Sequence, residues 1–203
     1  MTSLHDLIEA VRQISGIPIV FTMSVLAGLA ATIVGNAHQP QMPEFASDLG
    51  YGGQGLYYSL LLAANAAGAL IAGLVLEARN MLQAKTRTSF ILGIMWALAI
   101  LGFSISTNYI LAIILLLCAG FFDLSFNSMT RTLAQLHAPP EIRGRAIGLF
   151  NVGSLVGRTF SGFTVGFGGG LIGIHFSLAL SALLLFVCIV ALFFWAIKRG
   201  VID

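Results

Sequence analysis

The chain has 203 residues, 58% of them hydrophobic and only 9% charged, with a mean hydropathy of +0.95. A soluble domain carries roughly a quarter charged residues, so a soluble fold is excluded and the chain reads as an integral membrane protein. The net charge of +2 is small; what informs is where the charges stand.

The chain opens on SLHDLIEAVRQIS, residues 3–15, in which Leu4, Leu7, Ile8, Val11 and Ile14 recur at helical spacing opposite Asp6, Glu9 and Arg12. That pattern predicts an amphipathic surface helix over residues 1–16, either a lead-in to the first span or a linker from a preceding domain. His5, Asp6 and Glu9 precede the only Arg of this segment, unlike the basic-then-apolar design of a cleaved signal peptide, so the first span is expected to stay in the mature protein.

Six apolar runs of about 20 residues, the length that crosses a bilayer core of about 30 Å, follow at 17–37, 54–77, 88–106, 109–131, 145–167 and 174–197. They are too long and too poor in alternation for barrel strands, and a helical bundle satisfies every backbone group in lipid. The predicted fold is all-α: a six-helix transmembrane domain over 17–197 and a cytoplasmic tail at 198–203.

The first run carries Ser24, Gly28, Ala31 and Gly35 at spacings that admit a close helix neighbour, and ends on Asn36, His38 and Gln39 before Pro40 and Pro43. The second holds Asn65 among Gly68, Ala72 and Gly73, as interhelical glue or as a cavity-lining group. The third and sixth are nearly featureless, with Trp96 and Trp195 among bulky aliphatics, and are expected to face lipid.

The fourth run places Gly120, Asp123, Asn127 and Thr130 at steps of three and four, hence on one face. The fifth repeats the pattern with Asn151, Ser154, Arg158 and Ser161, interleaved with Gly153 and Gly157. An ionised group at mid-membrane costs about 2.5–3.5 kcal/mol on insertion scales, so Asp123 and Arg158 are expected to face a shared cavity. Counted along the helices from Arg131 and Arg145, they differ in depth by about 8 Å, which predicts proximity and no specific salt bridge.

Nine of the ten basic residues, all but Arg158, lie outside the runs or at their ends, and all nine fall on one side if the runs alternate. Loops 38–53, 107–108 and 168–173 contain no Lys or Arg, so the positive-inside rule predicts cytoplasmic termini. Cys118 and Cys188 lie in apolar runs and match no metal or redox spacing. GGGLIG at 168–173 follows no strand, no Walker loop, HExxH or Cys/His cluster occurs, and the basic residues mark orientation and not a nucleic-acid site. No cofactor is expected.

LAQLHAPPEIRGRAIGLFNVG, with Gln135, Pro139, Glu141, Arg143, Gly144, Arg145 and Gly148, resembles the link between the tenth and eleventh spans of major facilitator superfamily transporters, bacterial exporters especially. MPEFASDLG and GALIAGLVLEAR extend the resemblance; in the latter Gly73 and Glu77 keep the places of the family's cytoplasmic signature, while Asn80, Met81 and Leu82 replace its second Gly and basic pair. The resemblance covers nearly the whole chain but only the second half of a twelve-span architecture built from two halves around a midplane site. It implies partnership with a lipid bilayer, a small-molecule substrate, protons and a second six-span half or a homodimer. It further implies secondary active transport of small organic molecules, as proton-coupled efflux in the bacterial cytoplasmic membrane.

On that reading Asp123 is the titrating group and Arg158 its electrostatic partner, with Asn127, Asn65, Asn36 and Asn151 along the substrate or proton pathway and Glu77, Arg143 and Arg145 as a cytoplasmic gate. Two alternatives stand beside it. One is a non-transporting membrane subunit or interaction protein, favoured by the half-length. The other is an intramembrane hydrolase using Ser161 and His175, disfavoured because the two differ in depth by about 6 Å where a nucleophile and its base need hydrogen-bond reach.

Overall fold

Residues 12, 14–51, 55–79 and 84–202 are described by a computed structural model. Most of the predicted amphipathic segment, residues 1–11 and 13, lies outside them, as do Asn80, Met81 and Leu82.

The described residues form seven α-helices and no strand. In chain order they are α1 (Pro18–Ile33), the short α2 (Met42–Ala46), α3 (Gly55–Arg79), α4 (Thr86–Ser104), α5 (Tyr109–His137), α6 (Arg143–Ile172) and α7 (Ile174–Lys198). The six long helices overlap the six predicted runs, but only α3, α4, α5 and α7 combine the length and apolarity needed to cross a membrane. α1 is apolar but has 16 residues, about 24 Å at 1.5 Å per residue. α6 has 30 residues, and Asn151, Arg158 and its many glycines dilute its apolarity.

The predicted first run ends early because Gly35 takes φ +44°, a left-handed stop that returns its N–H to the Ala30 carbonyl. Pro40 and Pro43 then shape a 3-10 turn, Gln39–Gln41, and the single-turn α2. Between the fourth and fifth runs, predicted to end at 131 and resume at 145, the break is shorter: α5 runs on to His137 and α6 begins at Arg143. Pro139 and Pro140 remove backbone donors, which confines the break to a few residues around them.

The expectation that the third run faces lipid holds for one face only: Ile91, Met95 and Leu98 of α4 point outward, but the opposite face is packed inside the bundle. Trp96 is 2% exposed and stacks on Phe126 of α5 with centroids 6.1 Å apart, and Phe90, Ile100 and Phe103 of α4 are also buried. α4 packs against both α5 and α7, where Gly93 admits Phe126 and Ile189 at close range. The sixth run is two-faced: Leu178, Ala182, Leu185 and Ile189 of α7 are buried, while Phe176, Leu180, Leu184 and Val187 point outward as a lipid-facing stripe would.

Two close crossings set the frame. At α3–α5, a Cβ on Gly68 would strike the Leu117 carbonyl and one on Gly120 the Asn65 carbonyl. At α1–α6, Gly157 lies against Ala31 and Thr32, and Gly35 against Ser161. Small residues at these points let backbones approach, the usual basis of helix association in lipid.

Contacts between α3 and α5 starts (Tyr109 hydroxyl to the Tyr57 carbonyl, 2.7 Å) and among the α1–α3, α4–α5 and α6–α7 connections place those segments at one end of the bundle. Lys85, Arg87, Arg131, Arg143, Arg145, Lys198 and Arg199 therefore gather at the other end, which we call the basic end. Among the described residues the opposite end carries Glu44 and Asp48 and no Lys or Arg.

Candidate functional site

α5 and α6 present their polar stripes to a common cleft of about 310 Å³. From α5 come Asn127 and Arg131, one turn apart; from α6 come Asn151, Ser154 and Arg158, with Phe150 and Leu155 as apolar walls. The spacing of three and four residues that marked these side chains in the sequence is what brings them to one side of each helix.

Asp123 sits one turn from the cleft. Its Oδ1 accepts a hydrogen bond from Asn127 Nδ2 (2.7 Å), which also donates to the Asp123 backbone carbonyl (2.9 Å). Asn127 is thereby a bridge: one end of its amide holds the carboxylate, and the residue itself lines the cleft that contains Arg158.

Arg158 reaches the other way as well. Its Nη1 donates to Asn36 Oδ1 of the segment after α1, across 3.4 Å and 122 residues of sequence. This reach depends on the α1–α6 crossing, because Gly157 and Gly35 bring the two backbones together on either side of the contact. Asp123 and Arg158 are both half-buried, and no ion pair joins them among the described residues. Asn127, bonded to Asp123 and lining the cleft of Arg158, is what connects them. Proximity without a salt bridge leaves both groups able to take another partner.

The structure thus assembles Asp123, Asn127, Asn151, Arg158 and Asn36 from three segments. It sets Asn65 elsewhere, at the α3–α5 crossing, where its carbonyl and side-chain oxygen lie against Gly120. Arg131, which the sequence offers only as an orientation signal, belongs to the cleft. Its i+4 spacing from Asn127 was the available sign.

Glu77, Arg143 and Arg145 are exposed and form no ion pair with one another among the described residues. α3 packs on α5, and α6 on α1 and α7, so the acid and the two bases belong to different walls. Arg143 Nε instead donates to the Ala138 carbonyl at the end of α5 (3.4 Å). Both arginines stand at the positive end of the α6 dipole, a place that favours an anion.

Ser161 and His175 are not a catalytic pair. The buried Ser161 hydroxyl donates to the Arg158 carbonyl (2.9 Å), while the His175 ring is bonded to Ser104 and Asp48.

The family model of the Major Facilitator Superfamily matches residues 6–201 of this chain. The chain belongs to that superfamily. It is a membrane transport protein of the major facilitator superfamily, with several helices that cross the bilayer, and its 203-residue length is consistent with one six-helix half of the superfamily's architecture. No characterised protein and no solved structure matched the chain. Superfamily membership gives the α5–α6 cleft a context, because the superfamily's architecture is built from two halves around a midplane site.

Proposed function

We propose that the chain is a C-terminal-type six-helix half of a proton-coupled secondary transporter that exports small organic molecules across the bacterial cytoplasmic membrane. The observation that carries the reading is the Asp123–Asn127 and Arg158–Asn36 arrangement, an acid and a base held by separate amides on facing elements of an apolar bundle. An unpaired acid and base in a membrane are costly. They persist where a substrate, a proton or water satisfies them in turn.

In one state Asp123 is ionised and the Arg158 guanidinium stabilises it through space; protonation of Asp123 releases Arg158 to an anionic or polar group of the substrate. Asn127 and Asn36 keep the two side chains aimed while the occupant changes. Glu77, Arg143 and Arg145 serve as a cytoplasmic gate with their counter-charges on a second half or a second copy, and positive-inside orientation places the basic end in the cytoplasm.

The test is transport in everted membrane vesicles against a panel of lipophilic organic cations and anions. Proton-gradient-driven uptake is expected to vanish in Asp123→Asn while substrate exchange persists. Full driven uptake in that variant removes Asp123 from the mechanism.

A further inference from the structure

His175, the second residue of α7, lies at the end of the bundle opposite the basic end, in the wall of a cleft of about 650 Å³. Its Nδ1 is 2.7 Å from the Ser104 carbonyl oxygen at the end of α4, and its Nε2 is 3.2 Å from Asp48 Oδ2 in the turn Ser47–Tyr51. Phe45 of α2 packs edge-on against the ring, with centroids 4.5 Å apart.

A carbonyl oxygen and a carboxylate oxygen both accept hydrogen bonds, whereas a neutral imidazole has one N–H to give. With Nδ1–H committed to Ser104, the bond at Nε2 requires one further proton, either on the ring or on Asp48. The ring and Asp48 together must therefore hold that proton for both bonds to exist. Loss of it leaves a lone pair on Nε2 facing a carboxylate, which is repulsive.

We infer that His175, Asp48 and Ser104 form a proton-operated latch that ties the α1–α3 connection to α4 and α7 at low pH and releases it at higher pH. Among the described residues, the charged groups facing the ring are Asp48 and, across the same cleft, Glu44; both are acidic and both are exposed. α4 contributes the neutral Ser104 carbonyl and α2 the neutral Phe45. The sign follows: the bond to Asp48 is complete when the extra proton is present and is lost as it leaves. The latch stands at the far end of the bundle from the cleft of Arg131, so its opening would control access at that end independently of how the inner site is used.

The test uses the full chain in nanodiscs. Leu49, half-buried beside Asp48 in the cleft wall, is replaced by Cys in a Cys118→Ala/Cys188→Ala background, and its reaction with a water-soluble maleimide is followed against pH. Dividing the rate in Asp48→Ala, which can neither accept from nor donate to Nε2, by the rate with Asp48 intact, at each pH, removes the pH dependence common to both thiols. The ratio is expected to be about threefold near pH 5.5, the scale of one exposed ion pair, and to fall to about one near pH 8.5, beyond the range in which imidazole changes charge. Adding His175→Gln to both members of the ratio should flatten it, since the amide does not titrate. A ratio independent of pH, or a trend that survives His175→Gln, overturns the latch.

Discussion

Asn36 and Asn127 have short side chains with one task each, and their replacement separates holding from chemistry. Asn127→Ala frees the Asp123 carboxylate from its 2.7 Å donor; a hydrogen bond to a charged group contributes about 1.5–3 kcal/mol, so a stability loss of that order is expected in thermal unfolding in detergent. Asn36→Ala breaks the longer 3.4 Å contact and should cost less, under about 1 kcal/mol. His38 is a different case. It is 3% exposed, neither ring nitrogen has a partner among the described residues, and burial pushes it down to about 4. A group depressed on folding binds protons more readily unfolded, so its share of stability is whole above about pH 6.5 and is lost as pH falls toward 4. Relative to His38→Leu, the protein should lose roughly 2 kcal/mol between pH 8 and pH 5, read as a shift between their unfolding curves. The stripe of Asp123, Asn127, Asn151 and Arg158 was legible from spacing alone. The burial of His38 and the two acceptors around His175 were not, because they depend on a chain reversal made by Gly35 and on contacts with residues 71 and 127 positions away.

At the scale of elements, helix existence was readable because six apolar runs separated by Pro, Gly and charge leave few other options in lipid. Their partners were not readable. Trp96 sits among aliphatics in a sequence that looks uniform, and only the close approach allowed by Gly93 puts that face of α4 onto α5 and α7. The same holds for Asn65, whose neighbours Gly68 and Ala72 are as fitting for a cavity as for the crossing it occupies. That crossing gives a sharp prediction. Gly120→Ala and Gly68→Ala each drive a Cβ into the backbone of the facing helix and should cost about 1–3 kcal/mol or more by overpacking. Gly148→Ala, with nothing within 4 Å of its new Cβ, should be neutral or stabilising by up to about 1 kcal/mol. Thermal unfolding of the three variants side by side checks the contrast.

For the whole molecule, the arrangement of charge divides the bundle into a basic end, an opposite end holding Glu44, Asp48 and His175, and between them a polar cleft walled by α5 and α6. On the proposed function that cleft is one wall of a transport path, and a path holds water where a lipid-facing stripe does not. Cysteine placed at Asn151 should therefore react with a water-soluble thiol reagent in membranes, while cysteine at the outward Leu184 of α7 should not. Proton coupling through Asp123 is the centre of the account, and it is tested most directly by running the coupling backward. In proteoliposomes with a substrate gradient and no initial pH difference, an internal pH dye should report proton movement against the substrate. Asp123→Asn should abolish that movement while substrate still exchanges; an unchanged proton flux in Asp123→Asn would contradict it.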